Sequence, residues 1–148
     1  KTYPEATLTM VGPDKDGSLQ TTKALAASLG LSVTFTGQLS KEAWWQLAAE
    51  HDIFINTTHF DNTPVSVLEA MALGLPVVST AVGGIPYLIT PDVTGKLVPD
   101  ADTDAMVAAI TELLQQQEQG QLLIQNARSF VAQMDWDVVK EKWVEVFK

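Results

Sequence analysis

The sequence contains no cysteine and few basic residues. The absence of cysteine among 148 residues excludes a disulfide framework, thiolate metal sites and a cysteine nucleophile. Lysine and arginine together number 9 against 18 acidic residues, the net charge is −9, and Arg128 is the only arginine. The basic residues are scattered, so the chain lacks the positive patch on which non-specific nucleic-acid binding depends. We therefore expect no nucleic-acid partner.

Long apolar runs and internal repeats are also missing. No stretch approaches the roughly 20 apolar residues that span a bilayer, and the N-terminus lacks the apolar region of a signal peptide, so we expect a cytoplasmic protein. Hydrophobic residues make up 46% of a length that suits one compact domain. Because Lys1 is no initiator residue and a strand pattern follows within a few residues, we expect a piece of a longer protein.

Short apolar segments alternate with helical patterns in the first two thirds of the chain. Strand patterns occur at residues 6–11, 33–36, 52–56, 76–80 and 95–98. Helical spacing predicts intervening helices at residues 19–29, 40–49 and 65–73. This alternation is typical of an α/β fold with a doubly wound parallel sheet. The pattern then changes to three successive helices, predicted at residues 103–119, 121–134 and 137–148.

A polar loop at residues 57–64 follows the third predicted strand. Ligands of open parallel sheets bind beyond the carboxyl ends of the strands, where this loop lies. Pro64 occupies the expected first position of the next helix, where its missing N–H costs nothing. The N-terminus of that helix would face the loop with unpaired N–H groups and partial positive charge, which favours an anion such as phosphate.

Two carboxylates and two glycines accompany this loop. Asp61 lies in the loop and Glu69 eight residues later in an apolar helix, a spacing that suits hydroxyl recognition better than a shared proton. Because a buried carboxylate needs partners, Glu69 either lies on the solvent face or serves a ligand. Gly83 and Gly84, after the fourth strand, would let the backbone approach a ligand closely. We expect the two loops to form one site.

The spaced aspartates at residues 100–104 do not predict a metal site. A calcium loop counted from Asp100 would need glycine and glutamate where the sequence has Ala105 and Thr111. We interpret these aspartates as N-caps of the following helix, and Asp135 as the cap of the last one. Neither a metal nor a cofactor is expected.

The segment from Asp61 to Pro86 resembles a known family. It contains Asp61-Asn-Thr-Pro-Val-Ser-Val-Leu-Glu69 and then Gly83-Gly-Ile-Pro86, and it looks like the nucleotide-sugar-binding region of group 1 retaining glycosyltransferases of GT-B architecture. The resemblance runs along nearly the whole chain. It implies that residues 1–148 form the Rossmann-like, donor-binding C-terminal domain with extra C-terminal helices. The acceptor-binding N-terminal domain, and the upstream arginine and lysine that contact the diphosphate in this family, would lie outside the chain.

The resemblance also implies roles for individual residues. In the family's Glu-x7-Glu motif, Asp61 would face the transferred sugar and Glu69 would bind the ribose hydroxyls, and these two form the expected catalytic pair. Asp61 is shorter than the usual glutamate, and Tyr87 stands where the family often has glutamate. His59 is left open between ligand contact and plain surface exposure. The implied donor-binding residues are Gln38, Leu39, His59, Asn62, Thr63, Pro64, Val65, Ser66, Gly83 and Gly84.

The function implied by the resemblance is transfer of a hexose from a nucleoside-diphosphate sugar to a glycan or lipid-linked acceptor, with retention, in polysaccharide biosynthesis. The full-length protein could then attach peripherally to the inner face of the membrane, whereas the chain alone is expected to be inactive. Two alternatives stay open: a nucleotide-sugar epimerase of the same fold, and a module that binds nucleotide sugars without turnover. The apolar stripe of Val139, Trp143 and Phe147 on the last helix also indicates a homodimer.

Overall fold

The computed structural model describes residues 3–147, which divide into two compact units. The first unit ends at Leu47 and the second begins at Ala48. The strands are β1 (Leu8–Val11), β2 (Val33–Gly37), β3 (Phe54–Asn56), β4 (Val77–Thr80) and β5 (Lys96–Val98). The helices are α1 (Leu19–Ser28), α2 (Lys41–Ala48), α3 (Val65–Leu73), α4 (Ile85–Leu88), α5 (Thr103–Gln115), α6 (Gln117–Ala132) and α7 (Trp136–Val146).

The first unit is a β-α-β arrangement followed by α2. Strands β1 and β2 pair in parallel, with the register shifting between Met10 and Val11. The loop after β1 closes on itself, because the Gly17 N–H donates to the Asp14 carboxylate at 2.9 Å. A turn closed by an aspartate side chain in this way is typical of loops that contain aspartate and glycine. The Ser40 hydroxyl accepts a hydrogen bond from the Ala43 N–H at 3.2 Å, as expected of an N-cap residue before α2.

The second unit contains a three-stranded parallel sheet in the order β3-β4-β5. All four residues of the central strand β4 are buried, because helices cover both faces of such a sheet. Helices α3 and α5 pack onto the sheet, and α6 packs against both of these helices. One core cluster consists of Val78, Val98, Met106, Ala109, Leu113 and Leu123. The predicted α/β class and the parallel pairing are confirmed, with the strands divided between two sheets.

The boundary between α5 and α6 differs from the prediction. We expected one helix to end at residue 119 and the next to begin at residue 121, but α5 ends at Gln115 and α6 begins at Gln117. Gly120 is therefore inside α6 and buried. A glycine inside a helix costs only about 1 kcal/mol, which the apolar face of α6, with Leu123 and Ala127 buried, offsets.

Two basic side chains fasten elements of the second unit. The Arg128 guanidinium, on α6, donates to the Leu73 carbonyl at the end of α3 at 2.9 Å. The Lys96 ammonium on β5, in a residue only 7% exposed, donates to Asp92 at 2.6 Å and to Glu112 on α5 at 2.8 Å. Burial by itself lowers the pKa of Lys96, but the hydrogen bonds to the two carboxylates outweigh it and raise the pKa above its ordinary value.

Candidate functional site

The β3–α3 loop, residues 57–64, lies at the carboxyl edge of the second sheet and is held by polar contacts. Its Thr58 carbonyl accepts a hydrogen bond from the Thr80 hydroxyl, at the end of β4, at 2.5 Å. The Thr58 hydroxyl donates to the Phe60 carbonyl at 3.0 Å, and the Thr63 N–H donates to the Asp61 carboxylate at 3.0 Å. The loop therefore consists of two short turns fastened to the neighbouring strand.

Polar side chains beneath the loop also bond the ends of β3 and β4 to each other. The Asn56 amide donates to the Ser79 hydroxyl at 3.1 Å, and that hydroxyl donates to the Thr80 carbonyl at 3.2 Å. Ser79 is fully buried. Because buried polar groups that are all bonded are costly to separate, this network fixes the floor of the loop.

Gly83 and Gly84 lie directly against the β3–α3 loop. The Gly84 N–H donates to the Asp61 carbonyl at 2.9 Å. A Cβ on Gly83 would lie 2.0 Å from the Asp61 carbonyl oxygen, and a Cβ on Gly84 would lie 1.7 Å from that of Asn62. The structure thus shows a close approach between the two loops, and close approach of the glycines to a ligand stays a prediction. Glycine is required here because no side chain fits between them.

The N-terminus of α3 follows the loop, with Pro64 as its N-cap. We predicted Pro64 at the first helical position, and the structure places it one residue earlier because its ψ of 106° is extended. In the described part of the chain, no side chain caps α3. Val65 and Ser66 in its first turn are exposed. This terminus can therefore offer N–H groups and partial positive charge to an anion.

The two predicted carboxylates both belong to this part of the second unit. Asp61 is half-buried in the loop, and one of its oxygens accepts the Thr63 N–H. Glu69 is half-buried in the second turn of α3, next to the fully buried Ala70. The exposure of Glu69 is thus intermediate between a solvent-face residue and a core residue. Asn62, Thr63 and Ser66 are exposed beside them.

His59 has a partner that sequence reasoning missed. Its Nδ1 lies 2.7 Å from a carboxylate oxygen of Asp100, in the segment after β5. We interpreted the aspartates of residues 100–104 as N-caps, and for Asp102 this is confirmed, because its carboxylate accepts the Ala105 N–H at 2.9 Å. Asp100 instead pairs with His59. Since 41 positions separate the two residues, no local spacing could have predicted the pair.

Gln38 and Leu39 belong to the first unit. They follow Gly37, the last residue of β2, whose φ of 69° turns the chain away from the strand. Gln38 is exposed and Leu39 is half-buried. Both lie after the carboxyl end of a parallel strand, where the sequence placed them.

No group of three or more histidine, aspartate or glutamate side chains with metal-binding geometry occurs among residues 3–147. Over the same residues, none of the helices combines the length and apolar character needed to cross a bilayer.

Polar loops lie at the carboxyl ends of parallel strands, and one of them leads into an uncapped helix. These features define a Rossmann-like α/β domain of the kind that binds nucleotides. A model of the family "Glycosyl transferases group 1" matches residues 1–130, and the chain belongs to that family. The fold is that of the GT-B glycosyltransferases.

Individual proteins show the same similarity. The sulfoquinovosyl transferase of Arabidopsis thaliana is 33% identical over 116 residues, which are 76% of this chain and 23% of that protein. Sucrose-phosphate synthase from Thermosynechococcus elongatus superposes with a TM-score of 0.86 at 27% identity, covering 99% of this chain and 39% of that one. Anabaena HepE in complex with UDP superposes with a TM-score of 0.83 at 25% identity, covering 97% of this chain and 41% of that one. HepE has also been solved with UDP-glucose. The chain thus spans less than half the length of these proteins.

Proposed function

We propose that this chain is the donor-binding C-terminal domain of a retaining hexosyltransferase and binds a nucleoside-diphosphate sugar at the β3–α3 loop. The observation that carries the proposal is the uncapped N-terminus of α3 beside two half-buried carboxylates, Asp61 and Glu69. The helix end suits the diphosphate, and the carboxylates suit hydroxyls. The likeness to HepE, solved with UDP and UDP-glucose, supports this choice of ligand.

Within this proposal, Glu69 accepts hydrogen bonds from the ribose hydroxyls and Asp61 accepts one from the transferred sugar. One Asp61 oxygen already accepts the Thr63 N–H, which leaves the other for the sugar. The diphosphate lies over the first turn of α3. It is contacted by Thr63 and by the N–H groups of Val65 and Ser66, beside Asn62, Pro64 and His59. Gly83 and Gly84 lie near the sugar, and a contact of Gln38 and Leu39 with the base stays a prediction of the family resemblance.

Charge on the leaving diphosphate grows as the glycosidic bond breaks, and preorganised N–H groups stabilise it. Residues 37–40, 57–64 and 80–86 contain neither lysine nor arginine, so the helix end supplies the positive potential in these loops. That contribution is about 0.3–1 kcal/mol, up to about 2 when partly buried. We infer that the chain alone binds the donor weakly and does not catalyse transfer. The acceptor domain and further cations would then lie elsewhere in a longer protein.

The acceptor in this proposal is a glycan or a lipid-linked glycan, and no metal or separate cofactor takes part. A lipid-linked acceptor implies that the longer protein associates peripherally with the cytoplasmic face of the membrane. One observation favours a second function, binding without turnover: Tyr87 stands at a position where glutamate is frequent in the family. Tyr87 lies on α4 and is 88% exposed.

Calorimetric titration tests the proposal. The chain would be titrated with UDP, GDP and ADP and with their glucose, mannose and N-acetylglucosamine derivatives, and the best ligand repeated on Glu69→Gln. We expect one base to bind most tightly and Glu69→Gln to weaken binding about tenfold, since a charged hydrogen-bond partner is lost. Glu141→Gln, on the exposed face of α7, is the matched control and should bind like the unmodified chain.

Absence of binding at millimolar ligand, or equal binding by Glu69→Gln, would contradict the proposal. Product analysis of the longer protein then separates turnover from binding alone, because a module without turnover releases no nucleoside diphosphate in the presence of acceptor.

A further inference from the structure

We propose that Asp100 is a positioning residue that acts through His59 to hold the β3–α3 loop, and with it Asp61, at the nucleotide-sugar site. The observation is the 2.7 Å contact between His59 Nδ1 and a carboxylate oxygen of Asp100. It joins the exit of β3 to the exit of β5, on the two outer strands of the second sheet. The expected effect on binding rests on the proposed function. The anchoring of the loop by the pair rests on this geometry alone.

The chemistry of the pair determines which His59 nitrogen carries the proton. A carboxylate only accepts hydrogen bonds, so the nitrogen facing Asp100 must be the donor. Neutral His59 is therefore the Nδ1–H tautomer, and its Nε2 keeps a free lone pair. The imidazole is thus fixed in orientation and in tautomer by a residue that lies outside the loop.

The pair completes the anchoring of the loop. Thr58 is held by the Thr80 hydroxyl, and the Asp61 carbonyl is held by the Gly84 N–H, both from the chain around the end of β4. His59 lies between these two anchors and is held from the opposite side of β4, by the segment after β5. Removing Asp100 would leave the loop anchored on one side only, which would loosen the turn that presents Asp61.

The pair is partly solvated, with side-chain exposures of 77% for His59 and 42% for Asp100. Such pairs contribute little to overall stability, so their loss should alter the order of the loop without unfolding the chain. This makes the effect on the site separable from an effect on the fold.

Imidazole nitrogen NMR tests the structural part directly. The chain has only two histidines, so His51→Gln assigns the His59 signals. We expect the Nδ1–H tautomer for neutral His59, its retention in Asp100→Asn, whose amide oxygen still accepts, and its loss in Asp100→Ala. Amide signals of residues 57–63 should shift in Asp100→Ala and not in Asp104→Asn, an exposed aspartate nearby. An Nε2–H tautomer in the unmodified chain, or unchanged loop amides in Asp100→Ala, would overturn the inference.

Binding of the best nucleotide sugar tests the effect on the site. We expect Asp100→Ala and His59→Gln each to weaken binding about two- to fivefold, with no further loss in the double variant, because both remove one contact. His59→Asn, whose amide can still donate to Asp100 from near the Nδ1 position, should bind more tightly than His59→Gln. Weakening by His59→Asn with normal binding by Asp100→Ala would assign His59 to direct ligand contact and overturn the positioning role. If the unmodified chain binds no nucleotide sugar, the proposed function fails, and the tautomer and loop amides still decide this inference.

Discussion

The β3–α3 loop and the Lys96 cluster, which comprises Lys96, Asp92 and Glu112, are both held by polar side chains of the second unit. Their surroundings differ. The loop is fastened by backbone contacts with Gly84 and by the solvated His59–Asp100 pair, whereas Lys96 is buried between its two carboxylates. A buried charge that loses its partners is costly, and a solvated pair is not. From this difference we expect loss of the Lys96 contacts to lower stability, and loss of the His59–Asp100 pair to alter mainly the loop.

The largest effect should come from Gly84→Ala. Its Cβ would lie 1.7 Å from the Asn62 carbonyl oxygen, so the two loops must separate. We expect loss of nucleotide-sugar binding in calorimetry and a stability loss of about 1–3 kcal/mol, as for overpacking, in urea unfolding. Gly120→Ala is the control, because nothing lies within 4 Å of its Cβ and alanine favours helix by about 0.5–1 kcal/mol. Normal binding by Gly84→Ala would show that the contact between the loops is not needed for binding.

Lys96→Met should lower stability and leave binding unchanged. It removes both charged hydrogen bonds of the Lys96 cluster, and we expect unfolding free energy to fall by about 1.5–3 kcal/mol with nucleotide-sugar affinity unchanged. Lys140→Met, which breaks the exposed Lys140–Asp137 pair on α7, should cost at most about 1 kcal/mol. Urea unfolding of both variants measures the difference. Equal losses would contradict the distinction between buried and solvated pairs.

The pH dependence of stability sharpens the same distinction. The pKa of Lys96 is raised in the folded chain, so the folded state holds this proton more tightly than the unfolded state. The stabilisation is fully present below the ordinary lysine pKa of 10.5 and is lost as the pH rises through the higher folded value. Unfolding followed across this alkaline range should show a decline that Lys96→Met removes. An identical decline in Lys96→Met would assign it to other groups.

The smallest effects should distinguish two aspartates of one segment. Asp102→Ala removes the N-cap of α5 and should cost about 0.5–2 kcal/mol of stability with binding unchanged. Asp100→Ala should leave stability within about 1 kcal/mol and weaken binding, because its partner is the solvated His59. Thermal unfolding measures the stability of both variants, and titration measures their affinity for the nucleotide sugar. If Asp102→Ala weakened binding as much as Asp100→Ala, the whole segment rather than the pair would hold the loop.

The sequence predicted elements whose apolar period and end signals agree. The apolar spacing predicted helix α3 at residues 65–73, as observed, and Gly74, with a φ of 86°, ends it. Only the placement of Pro64 inside the helix was wrong. Helix α4 was missed because four residues are too few to show a period, although Pro86 near its start was a usable signal. The break at Gln116 was misplaced because the glutamine-rich tract has no apolar period to mark it.

The local parts of the site were predictable and the long-range contacts were not. The polar loop and the helix N-terminus follow from residues adjacent in sequence. In contrast, the contact of Gly84 with Asn62 and the pairing of Lys96 with Glu112 join separate segments. Such contacts depend on strand order and helix packing, which no spacing within one segment encodes.

The most direct test of the donor-site proposal is to locate nucleotide-sugar binding on the chain. A titration of the nitrogen-labelled chain with UDP-glucose, and with the corresponding GDP and ADP sugars, would follow every backbone amide. The account predicts that the largest shifts occur in residues 57–66 and at Glu69, and that they shrink in Glu69→Gln. Shifts confined to α5, α6 or α7, or no shifts at millimolar ligand, would contradict it.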